Sequence, residues 1–173
     1  MKAFDQLSEE EIINRILKGE KLLFEIIVRR YNPYLYKIGR SYDYSHDDTQ
    51  DLMQETYIDV FKHLSKFEQR SNFRTWIIRI MLNNCYRKKQ KLSFTNEYSE
   101  ENINEKATPM FTDSSNDAHK HLHNRELGHI IETYLTELPE DYRMVFSLRE
   151  INELSTAETA SVLNISESNV KVR

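Results

Sequence analysis

Apolar residues recur along this chain in steps of three and four, the spacing of one face of an α-helix. Leu7 and Ile12 flank Ser8-Glu9-Glu10-Glu11, a capping box with a hydrophobic staple, and Gly19 is a plausible stop for that first helix. It reads as an N-terminal lid on a core. A second helix starts near Glu20, with Leu23, Ile26, Ile27 and Tyr31 on its stripe. Pro33 should kink or interrupt it, because proline lacks the amide proton the helix ladder needs. Tyr34, Leu35 and Ile38 resume the stripe to about Tyr42. Ser45 can cap a third helix, whose apolar positions are Leu52, Met53, Thr56, Tyr57, Val60, Phe61 and Leu64. Lys66 to Asn72 reads as a loop, and Ser71 or Asn72 caps a fourth helix carrying Phe73, Trp76, Ile77, Ile80 and Asn84 on one face.

From about Leu92 to Ala118 the periodicity is lost. The run is polar and mildly acidic, the composition of a linker. Beyond it, Leu127, Ile130, Ile131, Tyr134, Leu135 and Leu138 form another helical stripe. Pro139 ends it and opens the next helix, which carries Tyr142, Val145, Phe146 and Arg149. Ser155 to Glu158 is a second capping box, and Ala160, Val162 and Leu163 follow on its helix. Asn164-Ile165-Ser166 is a tight turn, with Asn164 tolerating a left-handed backbone. Ser166 caps a last helix with Val170 facing inward. Helix, short turn, helix, with the small Ala160 inside the first, is a helix-turn-helix pattern. The expected fold is all-α: two small helical domains joined by a flexible linker, over residues 1–91, 92–118 and 119–173.

Composition agrees with helices. There are three Gly and three Pro, hydrophobic content is 39% and charged content 30%. No apolar run reaches membrane-span length, and the first residues hold no signal-peptide core, so membrane insertion is not expected. The single Cys85 excludes an intramolecular disulfide and suits the cytoplasm. His119, His121 and His123 alternate, but no Cys or carboxylate stands at ligand spacing, so neither metal nor cofactor is expected. No nucleophile–base pair and no phosphate-cradling glycine loop is present, which argues against an enzyme.

Net charge is −4, too acidic for a typical free-standing DNA-binding domain. Its distribution matters more. Asp43, Asp47, Asp48, Asp51, Glu55 and Asp59 occur with no Lys or Arg among them. Asp48, Asp51, Glu55 and Asp59 share one helix face, where like charges repel. That stripe argues for a basic partner. Arg70, Arg74, Arg79, Arg87, Lys88, Lys89 and Lys91 follow with no acid, interleaved with Phe73, Trp76 and Tyr86. Such a pattern suits a phosphate backbone with bases to stack on.

Three stretches together resemble the bacterial sigma factors of the extracytoplasmic-function group: Phe24 to Tyr36; Asp47 to Tyr57 followed by Phe73 to Ile80; and Leu138 to Arg143 with Ser155 to Arg173. The resemblance implies a subunit that binds core RNA polymerase and directs promoter-specific initiation. Asp48, Asp51, Leu52, Gln54, Glu55 and Asp59 would dock on the clamp helices of the polymerase largest subunit. Ser71, Asn72 and Phe73 would cradle a flipped base of the downstream promoter element. Arg70, Arg74, Trp76, Arg79, Arg87 and Lys88 would hold DNA around it. Ser166, Glu167, Asn169, Lys171 and Arg173 would read the upstream element in the major groove. The linker would thread the RNA exit path, and an anti-sigma factor would target the docking surface. Asn164 stands where the family often has glycine. The family's last helix continues past the position of Arg173, so the sequence reads as truncated there. The competing reading, a stand-alone helix-turn-helix regulator, leaves the acidic stripe and the basic-aromatic helix without a role.

Overall fold

The computed structural model describes residues 7–96, 131 and 133–173, and every regular element among them is helical. Four helices build the first unit: α1 (Glu9–Leu17), α2 (Phe24–Ser41), α3 (His46–His63) and α4 (Phe73–Asn96). Each start has a local cause. Ser8 accepts from the Glu11 amide (3.2 Å), Ser45 from the Asp48 amide (3.1 Å) and Asn72 Oδ1 from the Arg74 amide (3.0 Å). Gly19, at φ +110°, turns the chain after α1 in a conformation an L-residue rarely adopts. A 3-10 turn at Lys21–Leu23 then leads into α2.

Helices α2, α3 and α4 pack against one another, and α1 closes the end of the bundle through Ile12, Ile13 and Ile16. Leu35, Val60 and Ile77 are fully buried, each contributing about 1.5–3 kcal/mol against exposure. Gly39 lets α2 approach the start of α3: a Cβ there would lie 2.6 Å from Thr49 Cγ2.

Two elements run further than the sequence reading had them. Pro33 does not interrupt α2, which runs unbroken for 18 residues. Tyr31, Leu35 and Ile38 are buried on either side of it, and Tyr57 Oη lies 2.8 Å from Asn32 Oδ1 and 3.1 Å from the Val28 carbonyl. Tertiary packing holds the turn whose ladder bond proline removes. Helix α4 continues to Asn96, past the boundary expected at Lys91.

The second unit begins with a helical turn at residues 133–137. It continues through α5 (Glu140–Phe146), a π-turn at Ser147–Ile151, α6 (Thr156–Leu163) and α7 (Glu167–Val172). Both halves of the Ser155–Glu158 capping box form, and Asn164 closes α6 at φ 55°. Val145, Ala160 and Val170 make a small core of their own. Met144, Leu148 and Leu154 instead join the apolar core of the first unit, so the two units are packed together.

Candidate functional site

Helix α3 presents a face of mixed character. Asp51, Gln54 and Glu55 are exposed, and Asp59 is half-buried. Leu52 is 2% exposed and belongs to the core, so of its expected place on the docking surface only the edge it contributes to the groove between α3 and α4 remains. Phe61, expected in the core, is 40% exposed, and Ile58 is 53% exposed. Gln54, Ile58 and Phe61 are separated by four and three residues and therefore share a face. That spacing was present in the sequence and could have exposed Ile58 as a surface residue. Phe61 rests edge-on against Phe24, with centroids 5.1 Å apart.

The acidic stripe is not unrelieved, as its sequence suggested. Arg87 Nη2 lies 3.4 Å from both Glu55 Oε1 and Asp59 Oδ2, and Lys88 bonds Asp48. Burial works to raise the Asp48 carboxyl, but hydrogen bonds from Lys88 and Ser45 outweigh it and hold the group below its ordinary value. A groove of about 700 Å³ runs between the two helices, lined among others by Asp51, Glu55, Arg87 and Lys91. Arg87 and Lys88, expected on DNA, therefore partner acids of their own chain.

The loop before α4 is held out by aromatics beneath it. Phe73 is 2% exposed and packs edge-on against Phe67 (5.1 Å) and Tyr31 (5.5 Å). It supports the loop from the core, and what little of it is open lines the pocket beside the loop. Trp76 is half-buried against the same cluster, 5.2 Å from Phe67. Above them Arg70, Ser71 and Asn72 are exposed; Arg70 pairs with Glu68 at 2.6 Å. Gln69 turns the loop at φ 55°.

Beside the loop lies a pocket of about 520 Å³, walled by Phe67, Ser71 and Asn72 on one side and by Ser8, Glu9 and Ile13 of α1 on the other. Burial pushes the Glu9 carboxyl above its ordinary value, against the pull of Arg30 and Arg74. Glu9 was missed by sequence reasoning. It appeared only as a helix-opening acid, and nothing local shows that α1 reaches a loop some sixty residues away.

Farther along α4, Arg74 lies over the Tyr34 ring (5.4 Å) and reaches the Glu153 carbonyl (3.4 Å). Arg79 Nη2 donates to Ser161 Oγ at 2.7 Å. These cations face the second unit. In that unit, Ser166 accepts from the Asn169 amide (3.2 Å), which opens α7. Ser166, Glu167, Asn169 and Lys171 are exposed on that helix; Arg173 pairs with Asp141 at 3.0 Å. His119, His121 and His123 lie outside the described residues. Among the described residues no group of His, Cys, Asp or Glu is placed to hold a metal, and no helix is long and apolar enough to cross a membrane. Cys85 is fully buried, and burial pushes its thiol up to about 12, which disfavours the thiolate form.

Comparison with known proteins divides the chain in two. The Sigma-70 region 2 family model matches residues 27–95, and the Sigma-70 region 4 model matches residues 128–173. The ECF RNA polymerase sigma-E factors of Salmonella typhimurium and Escherichia coli K12 are each 28% identical over 175 residues, covering 98% of this chain and 90% of the relative. Among solved structures, a sigma factor RpoE bound to the anti-sigma factor NepR from Bartonella quintana aligns over 86% of this chain and 88% of that one, with TM-score 0.68 and 20% identity. CnrH bound to the cytosolic domain of CnrY aligns over 93% and 86%, with TM-score 0.63 and 21% identity.

Proposed function

The chain belongs to the extracytoplasmic-function group of the sigma-70 family, and as an RNA polymerase sigma factor it directs promoter-specific transcription initiation; we propose how its residues divide that work. Core polymerase docks on the α3 face formed by Asp51, Gln54, Glu55, Ile58 and Phe61. Exposed acids around two exposed apolar side chains suit a basic helical partner: charge steers the encounter, and the apolar centre supplies burial. An anti-sigma factor covering the same face would exclude polymerase by occupancy alone. The protein acts where polymerase acts, in the cytoplasm.

The downstream promoter element is read at the loop, with Ser71 and Asn72 contacting an unpaired base and Arg70 its backbone. The observation that carries this reading is the loop's construction. Phe67, Phe73 and Trp76 fix it from below while Arg70, Ser71 and Asn72 stay exposed beside a pocket of about 520 Å³. An unpaired base can enter such a pocket; a duplex cannot. The exposed Ser166, Glu167, Asn169 and Lys171 of α7 contact the upstream element as duplex DNA.

Transcription in vitro with core polymerase and a library of promoters tests the assignment. Promoter-selective initiation that depends on the added chain is expected. Tight, sequence-specific binding of duplex DNA by the chain alone, with no effect on polymerase, would replace it with the stand-alone regulator.

A further inference from the structure

We propose that Glu9 decides which base the loop pocket accepts: its carboxylate takes a base bearing an exocyclic amino group and rejects thymine. The inference rests on the reading of the loop as the place where an unpaired base is held. Two walls of unlike chemistry make the pocket of about 520 Å³. The α1 wall brings Glu9, an acceptor only when ionised. The loop wall brings Ser71 and Asn72. Asn72 Oδ1 is engaged by the Arg74 amide at 3.0 Å, so what Asn72 offers the pocket is its Nδ2 donor, beside the Ser71 hydroxyl. Phe67 and Ile13 add apolar surface for a ring.

Glu9 is half-buried, and among the described residues its carboxylate accepts no hydrogen bond. Burial opposes its charged form, and the pull of Arg30 and Arg74 does not cancel that. A base amino group gives the carboxylate the donor that the chain withholds. The same two guanidinium groups offset the repulsion a bare carboxylate would exert on the phosphates of an entering strand. Cytosine, adenine and guanine each carry an amino group, and a carboxylate that accepts from one is an ordinary means of reading a base. Thymine instead presents two carbonyl oxygens around one N–H, so it meets repulsion where the others meet a hydrogen bond. A site built to bond a donor discriminates sharply against a ligand that lacks it, because its own polar group is then left unpaired. Glu9 lies some sixty residues before Ser71 and Asn72, so selectivity for the downstream element is divided between α1 and the loop.

The test uses core polymerase carrying the full chain and a labelled promoter fragment drawn from the transcribed library, its downstream element left single-stranded. Each position of that strand holds in turn thymine or 5-methylcytosine, which differ only in the oxygen or amino group at one ring carbon and the proton beside it. Fluorescence anisotropy reads the affinity. One position should favour 5-methylcytosine about tenfold. Glu9→Gln, whose amide donates to thymine as readily as it accepts from cytosine, should reduce that preference to about twofold or less, and Glu9→Ala should remove it. Glu11→Gln takes an acid from the same first turn but outside the pocket, and should keep the full preference. Circular dichroism checks that each variant folds. The inference is overturned if no position favours 5-methylcytosine in the wild-type complex, if both Glu9 variants keep the preference, or if they lose affinity equally for both bases. Ser71→Ala and Asn72→Ala separate that failure from a failure of the loop. If they alter base preference where the Glu9 variants do not, the loop reads DNA without Glu9; if none of the four does, the reading of the loop falls as well.

Discussion

Helices α3 and α4 carry opposite charge in adjacent stretches of sequence, yet they use it differently. On α4 the cations are turned inward to the molecule: Arg87 and Lys88 to the acids of α3, Arg74, Arg79 and Lys89 to the second unit. On α3, Asp51 and Gln54 stay exposed beside Ile58 and Phe61. Opposite charge runs therefore do not mean two separate partners. Part of the pattern is complementarity within one chain, and only the remainder is available for recognition. The α3 face is exposed, whereas the α4 cations named here are engaged within the chain.

That contrast can be broken most severely on the α3 side. Asp51→Lys with Glu55→Lys should weaken copurification with core polymerase by about a hundredfold or more, with the melting temperature little changed. Unchanged copurification would remove α3 as the docking helix. A smaller effect, on both faces at once, is expected from Gly39→Ala. Its methyl would press on Thr49 and on Met81 Cε, 3.2 Å away, and wedge α2 from its neighbours. Thermal unfolding should show a loss of about 1–3 kcal/mol. A neutral result would mean that the bundle can shift without cost.

Smaller again are the links between the two helices. Arg87→Ala should cost less than about 1 kcal/mol in a denaturant titration, because Arg87 and Glu55 are exposed, Asp59 is only half-buried, and salt screens the pairs. A larger loss would make the pairs with Glu55 and Asp59 a structural requirement. The smallest effect is expected at Glu9. Its folded carboxyl titrates above its ordinary value of 4.5, so its contribution is fully present below that value and is lost as pH rises through the raised one. Glu9→Gln should therefore raise the melting temperature slightly at neutral pH and leave it unchanged at pH 4. A gain at both pH values would trace the effect to something other than ionisation.

Local chemistry made much of this legible. The caps at Ser8, Ser45, Asn72, Ser155 and Ser166, and the left-handed Asn164, each depend on neighbours within three or four positions. Helix faces were legible where periodicity was clean. They misled at Phe61, where the stripe is wider than the surface it covers; Leu52 is buried as its place on the stripe required, and only the resemblance had put it on the docking surface. That α2 continues through Pro33 was not legible, because a local rule met packing from Tyr57, twenty-four residues on. Arg74 and Arg79 were identified as surface cations, but their acceptors lie about eighty residues away. Polar pairs at that separation leave no periodic trace, and neither does the wall that Glu9 supplies to the loop pocket.

The most direct measurement is transcription from a promoter library by core polymerase reconstituted with either the wild-type chain or Asn72→Ala. Asn72 sits where the buried aromatics end and the exposed loop begins. The variant should change base preference within the downstream element while total transcription falls by no more than a few-fold. A uniform loss over all promoter sequences would contradict the assignment, making Asn72 a backbone contact or merely the cap of α4.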